Sequence, residues 1–201
     1  PHSAELNAEL RIVDATVRRL IDGLIERGLE HSVNLVIVSD HGMIETSPER
    51  VIYLDDLLPD DTARIVSYGV LTGIQPLKGR TSEAESLLLA EHQHMQCWRK
   101  SELPARFHYG THRRVPPILC LAHHGWIIGN HAWMAKKTHF SYGEHGYDND
   151  DPDMRAIFIA HGPAFQSGLV LPPFDNVDVY PLLAYLLGLE AEPNDGNFDT
   201  V

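Results

Sequence analysis

Cysteine is almost missing from this chain: Cys97 and Cys120 are the only two. They form no C-x-x-C pair, which excludes a cysteine-built zinc knuckle. Cys120 lies in the apolar run Ile118-Leu119-Cys120-Leu121-Ala122 and reads first as a small buried hydrophobe. Whether the two pair is a question of geometry that sequence leaves open. Long apolar runs are missing too. None approaches the roughly 20 residues a bilayer crossing needs, so no membrane span is expected. Positive charge is scarce, with 16 Lys+Arg against 28 Asp+Glu and a net charge of −12. That balance argues against a nucleic-acid duplex as partner, since such binders carry a basic face. It does not exclude a small phosphorylated substrate, because dications invert the local field. No G-x-S-x-G elbow exists, and three consecutive residues cannot make a nucleophile–base–orienter relay of Ser39-Asp40-His41. Ser39 therefore reads as a structural hydroxyl. The middle of the chain, about residues 50–135, holds no internal repeat and no low-complexity segment.

What is present is ordinary globular composition, 43% hydrophobic and 22% charged, enough for a substantial core. The most informative segment is Asn34-Leu35-Val36-Ile37-Val38-Ser39-Asp40-His41-Gly42-Met43. An uncharged β-rich run, Leu35 to Val38, fits a strand buried in a parallel sheet. It ends in a carboxylate and an imidazole, and ligands of open α/β sheets sit beyond the carboxyl ends of strands. Asp40 and His41 are both able to hold a divalent metal. A strand-to-loop corner with Asp as turn former is the plain alternative. Gly42 is expected to let the backbone turn without a Cβ clash.

A second segment, Gly143-Glu144-His145-Gly146-Tyr147-Asp148-Asn149, places a histidine between glycines ahead of another apolar run, Ala156 to Ala160. Together with Met154, Gly162-Pro163, Asn176 to Tyr180, Leu186 to Leu189, Asn194-Asp195-Gly196, Glu102-Leu103-Pro104, Tyr109-Gly110 and Arg114 to Ile118, these motifs resemble the nucleotide pyrophosphatase/phosphodiesterase family of the alkaline phosphatase superfamily. The resemblance runs over nearly the whole chain.

That resemblance implies an α/β fold, an alkaline-phosphatase-like three-layer sandwich with a mostly parallel sheet; the strands, one helix and frequent turns over about residues 50–135 read as an α+β insertion on it. The resemblance implies that residues 1–201 are the C-terminal part of one catalytic domain, with the N-terminal half as the missing partner. It further implies two zinc ions, Asp40 and His41 on one and His145 on the other. Tyr147, Asp148 and Asn149 either orient His145 or simply make the turn. No catalytic residue is assigned here, because the family's threonine nucleophile is expected upstream of Pro1. The implied activity is metal-dependent cleavage of phosphodiester or pyrophosphate bonds in nucleotides or related diesters, in an extracytoplasmic setting. The alternatives are a phosphomonoesterase or sulfatase branch of the same superfamily, or a zinc-binding fragment without catalysis. Two histidine pairs, His92 with His94 and His123 with His124, are left outside the site.

Local signals give a helix from about Ala4 to Arg27, with Ser3 as N-cap and Leu6, Leu10, Val13, Val17, Leu20, Ile21 and Leu24 as one apolar stripe. Strands are expected at Val51 to Leu54, Ile65 to Leu71, Phe107 to Gly110, Val115 to Ala122 and Gly125 to Ile128. Helices are expected from Thr81 to Glu91 and from Val179 to Leu187, the latter capped by Asp178.

Overall fold

A computed structural model describes all residues, 1–201. In chain order the elements are α1 (Ala4–Ile25), β1 (Leu35–Val38), β2 (Ile44–Glu45), β3 (Val51–Tyr53), β4 (Ala63–Ile65), β5 (Leu71–Pro76) and α2 (Thr81–Leu88). They continue with β6 (Met95–Arg99), β7 (Ile118–Ala122), β8 (Ile127–Gly129), α3 (His131–Ala135), β9 (Gly143–Glu144), β10 (Phe158–His161) and α4 (Val179–Leu186). The chain divides into two compact units. One is Gly42–Arg155 with Pro1; the other joins His2–His41 to Ala156–Val201. The first is thus inserted, along the chain, between the two segments of the second.

The inserted unit is built on a four-stranded antiparallel sheet, ordered β4-β5-β7-β6. Its core gathers Leu54, Ile74, Leu88, Met95, Ile118, Ile127 and Ile128, each 2% exposed or less. Burying a side chain of this size is worth about 1.5–3 kcal/mol. Ala84 and Leu88, one turn apart on α2, present the buried face of that helix. Opposite each other in the β6/β7 register stand Cys97 and Cys120, and the two are joined by a disulfide. β3 and β8 form the one parallel pair.

Several expected elements move. The strand expected over Ile65 to Leu71 is broken: Ile65 ends β4, Leu71 opens β5, and residues 66–70 are the turn between them. The Val66 amide donates to the Gly73 carbonyl and the Ser67 hydroxyl accepts from the Gly73 amide at 3.0 Å, closing a hairpin through Gly69. Phe107 to Gly110 is not a strand either. A 3-10 turn over Ala105–Phe107 ends at His108 in the left-handed region, φ 47°. Pro116 and Pro117 have no amide to donate, so β7 begins only at Ile118. β6 was not anticipated.

In the second unit α1 begins as its sequence requires: the Ser3 hydroxyl accepts from the Leu6 amide at 3.1 Å. Its end closes through Gly28 N–H to the Ile25 carbonyl and Leu29 N–H to the Leu24 carbonyl, with Gly28 at φ +64°. No residue of α1 is buried, and its stripe stays open to solvent, Leu10 at 54% and Val13 at 59%. β1 pairs antiparallel with β10, Val36 opposite Ala160 and Ile37 opposite Ile159. The parallel neighbour expected for Leu35 to Val38 is therefore not β10. Asp178 stands at the N-cap position of α4, but its side chain makes no capping hydrogen bond. Its carboxylate instead accepts the Asn197 amide at 2.7 Å and the Thr200 hydroxyl at 2.5 Å, tying down the C-terminal turn.

Candidate functional site

Asp40 and His41 follow directly on the carboxyl end of β1. Their exit is fixed by Ser39, whose amide donates to the Ile157 carbonyl at 3.1 Å and whose hydroxyl accepts the Ile157 amide at 2.9 Å. The β1/β10 ladder is thereby carried one residue further, and Ser39 is the structural hydroxyl its surroundings suggested. Beyond it Asp40 turns outward, its side chain 85% exposed, while His41 is 32% exposed. The Asp40 Oδ1 accepts the His41 amide at 3.1 Å, and Oδ2 lies 3.4 Å from His41 Nε2. Asn176 Nδ2 reaches the Asp40 carbonyl at 3.5 Å.

The donor set is right for a zinc ion. Nitrogen and oxygen ligands sit at roughly 2.0–2.2 Å in tetrahedral sites, so neighbouring donors on one ion lie about 3.3–3.5 Å apart. Asp40 Oδ2 and His41 Nε2 already stand at 3.4 Å. One carboxylate and one imidazole do not complete a site, and further donors have to come from elsewhere.

Gly42 opens the other unit. A Cβ there would lie 1.9 Å from the Asp153 carbonyl oxygen and 3.0 Å from that of Arg155. The Gly42 amide donates to the Met154 carbonyl at 3.0 Å. The glycine is required by close backbone packing, where the sequence suggested a sharp turn.

His145 lies in the same unit as Gly42, exposed, between β9 and Gly146 at φ +88°. The three residues expected behind it separate into different tasks. Tyr147 is buried and its hydroxyl donates to the Trp126 carbonyl at 3.0 Å, and burial pushes its pKa up. Asp148 takes a two-pronged contact from the Arg106 guanidinium, which holds its carboxyl below the ordinary range. Asn149 Oδ1 accepts from Arg106 Nη1 at 3.3 Å. Sequence reading missed Arg106, since it stands 42 positions from Asp148 with no local signal to link them.

Two other carboxylate–histidine groups were also not foreseen: Asp55, Asp56 and His131, and His124, Asp151 and Asp153. Both have internal work. Asp55 accepts the His131 amide at 3.1 Å at the start of α3. Asp151 accepts the Asp153 amide at 3.0 Å and pairs with His124 Nδ1 at 2.7 Å. His92 and His94 are packing residues: His92 Nε2 meets the Leu88 carbonyl at 3.1 Å, and His94 stacks on Trp126 with ring centroids 3.6 Å apart.

Residues 1–148 match the family model described as type I phosphodiesterase / nucleotide pyrophosphatase. Human ectonucleotide pyrophosphatase/phosphodiesterase family member 5 is 35% identical over 198 residues, 98% of this chain and 41% of that protein. The Bos taurus bis(5'-adenosyl)-triphosphatase is 36% identical over 189 residues, 94% of this chain and 40% of its own length. Among solved structures, human ectonucleotide pyrophosphatase/phosphodiesterase 5 superposes with a TM-score of 0.92 at 35% identity, covering 100% of this chain and 53% of that one. An inactive murine counterpart in complex with AMP gives 0.91 at 36%, covering 100% and 52%. The chain thus spans about half the length of the relatives it matches or less. The fold is the alkaline-phosphatase-like α/β fold, with β1, β10, α1 and α4 in one unit and the antiparallel sheet in the other. On the match over residues 1–148 and the 35% identity along 198 residues, this chain belongs to the type I phosphodiesterase/nucleotide pyrophosphatase family.

Proposed function

We propose that this chain is the metal-binding C-terminal part of a hydrolase that cleaves phosphodiester or pyrophosphate bonds of nucleotides. Asp40 and His41 hold one zinc ion and His145 contributes to a second. The observation that carries the reading is the Asp40–His41 pair at the end of β1, with its oxygen and nitrogen donors 3.4 Å apart, in a chain of this family. When bound, zinc supplies Lewis acidity at phosphorus-bound oxygens and lowers the pKa of a hydroxyl nucleophile.

The chain's own residues supply placement. Ser39 and the Asn176 amide fix the backbone on either side of the Asp40 carboxylate. Asp40 brings formal negative charge to a dication, which a neutral amide does not. The attacking hydroxyl belongs to a segment outside these residues, and the uncovered apolar stripe of α1 supports a further segment packing against this unit. A nucleotide as substrate is supported by the AMP held by the murine relative. The Cys97–Cys120 disulfide supports folding outside the reducing cytosol, where such bonds persist. No helix of the chain is long and apolar enough to cross a membrane.

The test is a zinc-reconstituted assay of the full-length protein, comparing a nitrophenyl nucleotide diester with a nitrophenyl phosphate monoester. The reading expects faster turnover of the diester, abolished by chelation. Preference for the monoester moves the protein to another branch of the superfamily.

A further inference from the structure

Arg106 makes the most connected polar contact in the inserted unit. Its Nη1 donates to Asp148 Oδ1 at 2.6 Å and its Nη2 to Asp148 Oδ2. Nη1 also meets Asn149 Oδ1 at 3.3 Å and Asp150 Oδ2 at 3.0 Å. The guanidinium carbon lies over the Phe107 ring, 4.2 Å from its centroid. A planar fork on a carboxylate fixes direction as well as distance, which a lysine ammonium does not.

As a source of stability this cluster is modest. The Arg106 and Asp148 side chains are 42% and 37% exposed, and a cleft of about 310 Å³ brings water to both. Exposed pairs of this kind add little to stability. Its effect lies in what it holds. The segment after β9 passes through His145 and then Gly146, whose positive φ admits little else. Two tethers follow at once: Tyr147 by its hydroxyl to the Trp126 carbonyl, and Asp148 by the Arg106 fork. Tyr147, itself buried, anchors the segment two places before Asn149, and the Arg106 fork anchors it at the next residue, Asp148.

We infer that Arg106 is a positioning residue for His145, fixing the imidazole's approach to its metal through Asp148 and Asn149. The inference rests on the reading of His145 as a zinc ligand given above. Groups that orient a metal's ligands typically change metal affinity by about 10–100-fold when removed.

The experiment uses the full-length protein and measures zinc affinity by competition with a chromophoric chelator. Thermal unfolding of the metal-free protein is followed alongside, for wild type, Arg106→Met, Arg106→Lys, Asp148→Asn and His145→Ala. His145→Ala sets the scale of losing a ligand. Arg106→Met should weaken zinc binding about tenfold, with the metal-free melting temperature nearly unchanged and kcat lowered at constant KM. Arg106→Lys, which keeps charge but not the fork, should recover only part of the affinity. The Arg106→Met/Asp148→Asn double variant should be no worse than either single one. Wild-type affinity in Arg106→Met, with His145→Ala impaired, overturns the inference and leaves the ligand reading standing. So does a metal-free melting temperature that falls in step with affinity, which marks a structural role. Wild-type zinc binding in His145→Ala removes the ligand reading and the inference together.

Discussion

The Ser39 hydroxyl accepts the backbone amide of Ile157 at 2.9 Å, across 118 positions of chain. It extends the β1/β10 ladder past its last paired residues, Val38 and Phe158, and fixes the point from which Asp40 leaves the sheet. A hydroxyl so used serves the scaffold as an acceptor. Ser39→Ala should cost about 1 kcal/mol, the worth of one such hydrogen bond, measurable by urea unfolding. In the full-length protein it should leave most of the turnover. Loss of all activity with unchanged stability would assign Ser39 a chemical role.

Gly42→Ala should be among the most damaging single substitutions in the chain. The new Cβ would sit 1.9 Å from the Asp153 carbonyl oxygen, and both sides of that contact are backbone. No side-chain rearrangement relieves it, so the loss should exceed about 3 kcal/mol, beyond the usual range for overpacking. A shift of the denaturation midpoint worth less than about 1 kcal/mol would show that the Gly42 and Asp153–Arg155 segments do not approach this closely.

How much was legible depends on whether a residue's partner lay nearby in sequence. Ser3 as cap of α1 and the strand ending at Asp40 were readable, because periodicity and capping act within a few residues. The hairpin at Val66–Val70 was misread as strand because β-branched Val66 and Val70 flank a turn made by Ser67 and Gly69. Asp178 looked like a helix cap, yet the amide of Asn197 captured its carboxylate from 19 positions away. Arg106 gave no signal at all, since its whole role depends on tertiary closure onto Asp148. The Asp40–His41 pair was found from a strand-end motif, while the antiparallel partner of that strand was not, because β10 is equally apolar in either direction.

The Cys97–Cys120 disulfide closes a separation of 23 residues between adjacent strands of the inserted unit's sheet. A closed loop of that length is worth on the order of 3 kcal/mol. The Cys97→Ala/Cys120→Ala variant should therefore unfold at clearly lower denaturant than wild type, and reductant should have no effect on it. Peptide mapping that recovers both cysteines as free thiols from oxidised protein would contradict the bond.

Asp178 should give unit-specific acid sensitivity. Burial by itself would raise its pKa, but the Asn197 amide and the Thr200 hydroxyl hold it below the ordinary carboxylate range. The unfolded chain therefore takes up the proton more readily than the folded one. The stability this carboxylate contributes is present above about pH 4, the unfolded value, and is lost as pH falls through the lower folded value. Asp178→Asn should lose stability at pH 7 and show a smaller further loss between pH 5 and 3 than wild type. Parallel stability–pH curves for the two proteins would rule out this origin.

The central claim is that Asp40 and His41 serve one zinc ion and His145 another. Zinc content per chain, measured by elemental mass spectrometry on the full-length protein alongside diester turnover, tests it most directly. Wild type should carry two ions. Asp40→Asn, His41→Ala and His145→Ala should each fall toward one, with turnover reduced at least about a hundredfold. His94→Ala and His124→Ala, at residues occupied with Trp126 and Asp151, should keep both ions and most of the activity. Two ions and undiminished turnover in His145→Ala would contradict the assignment.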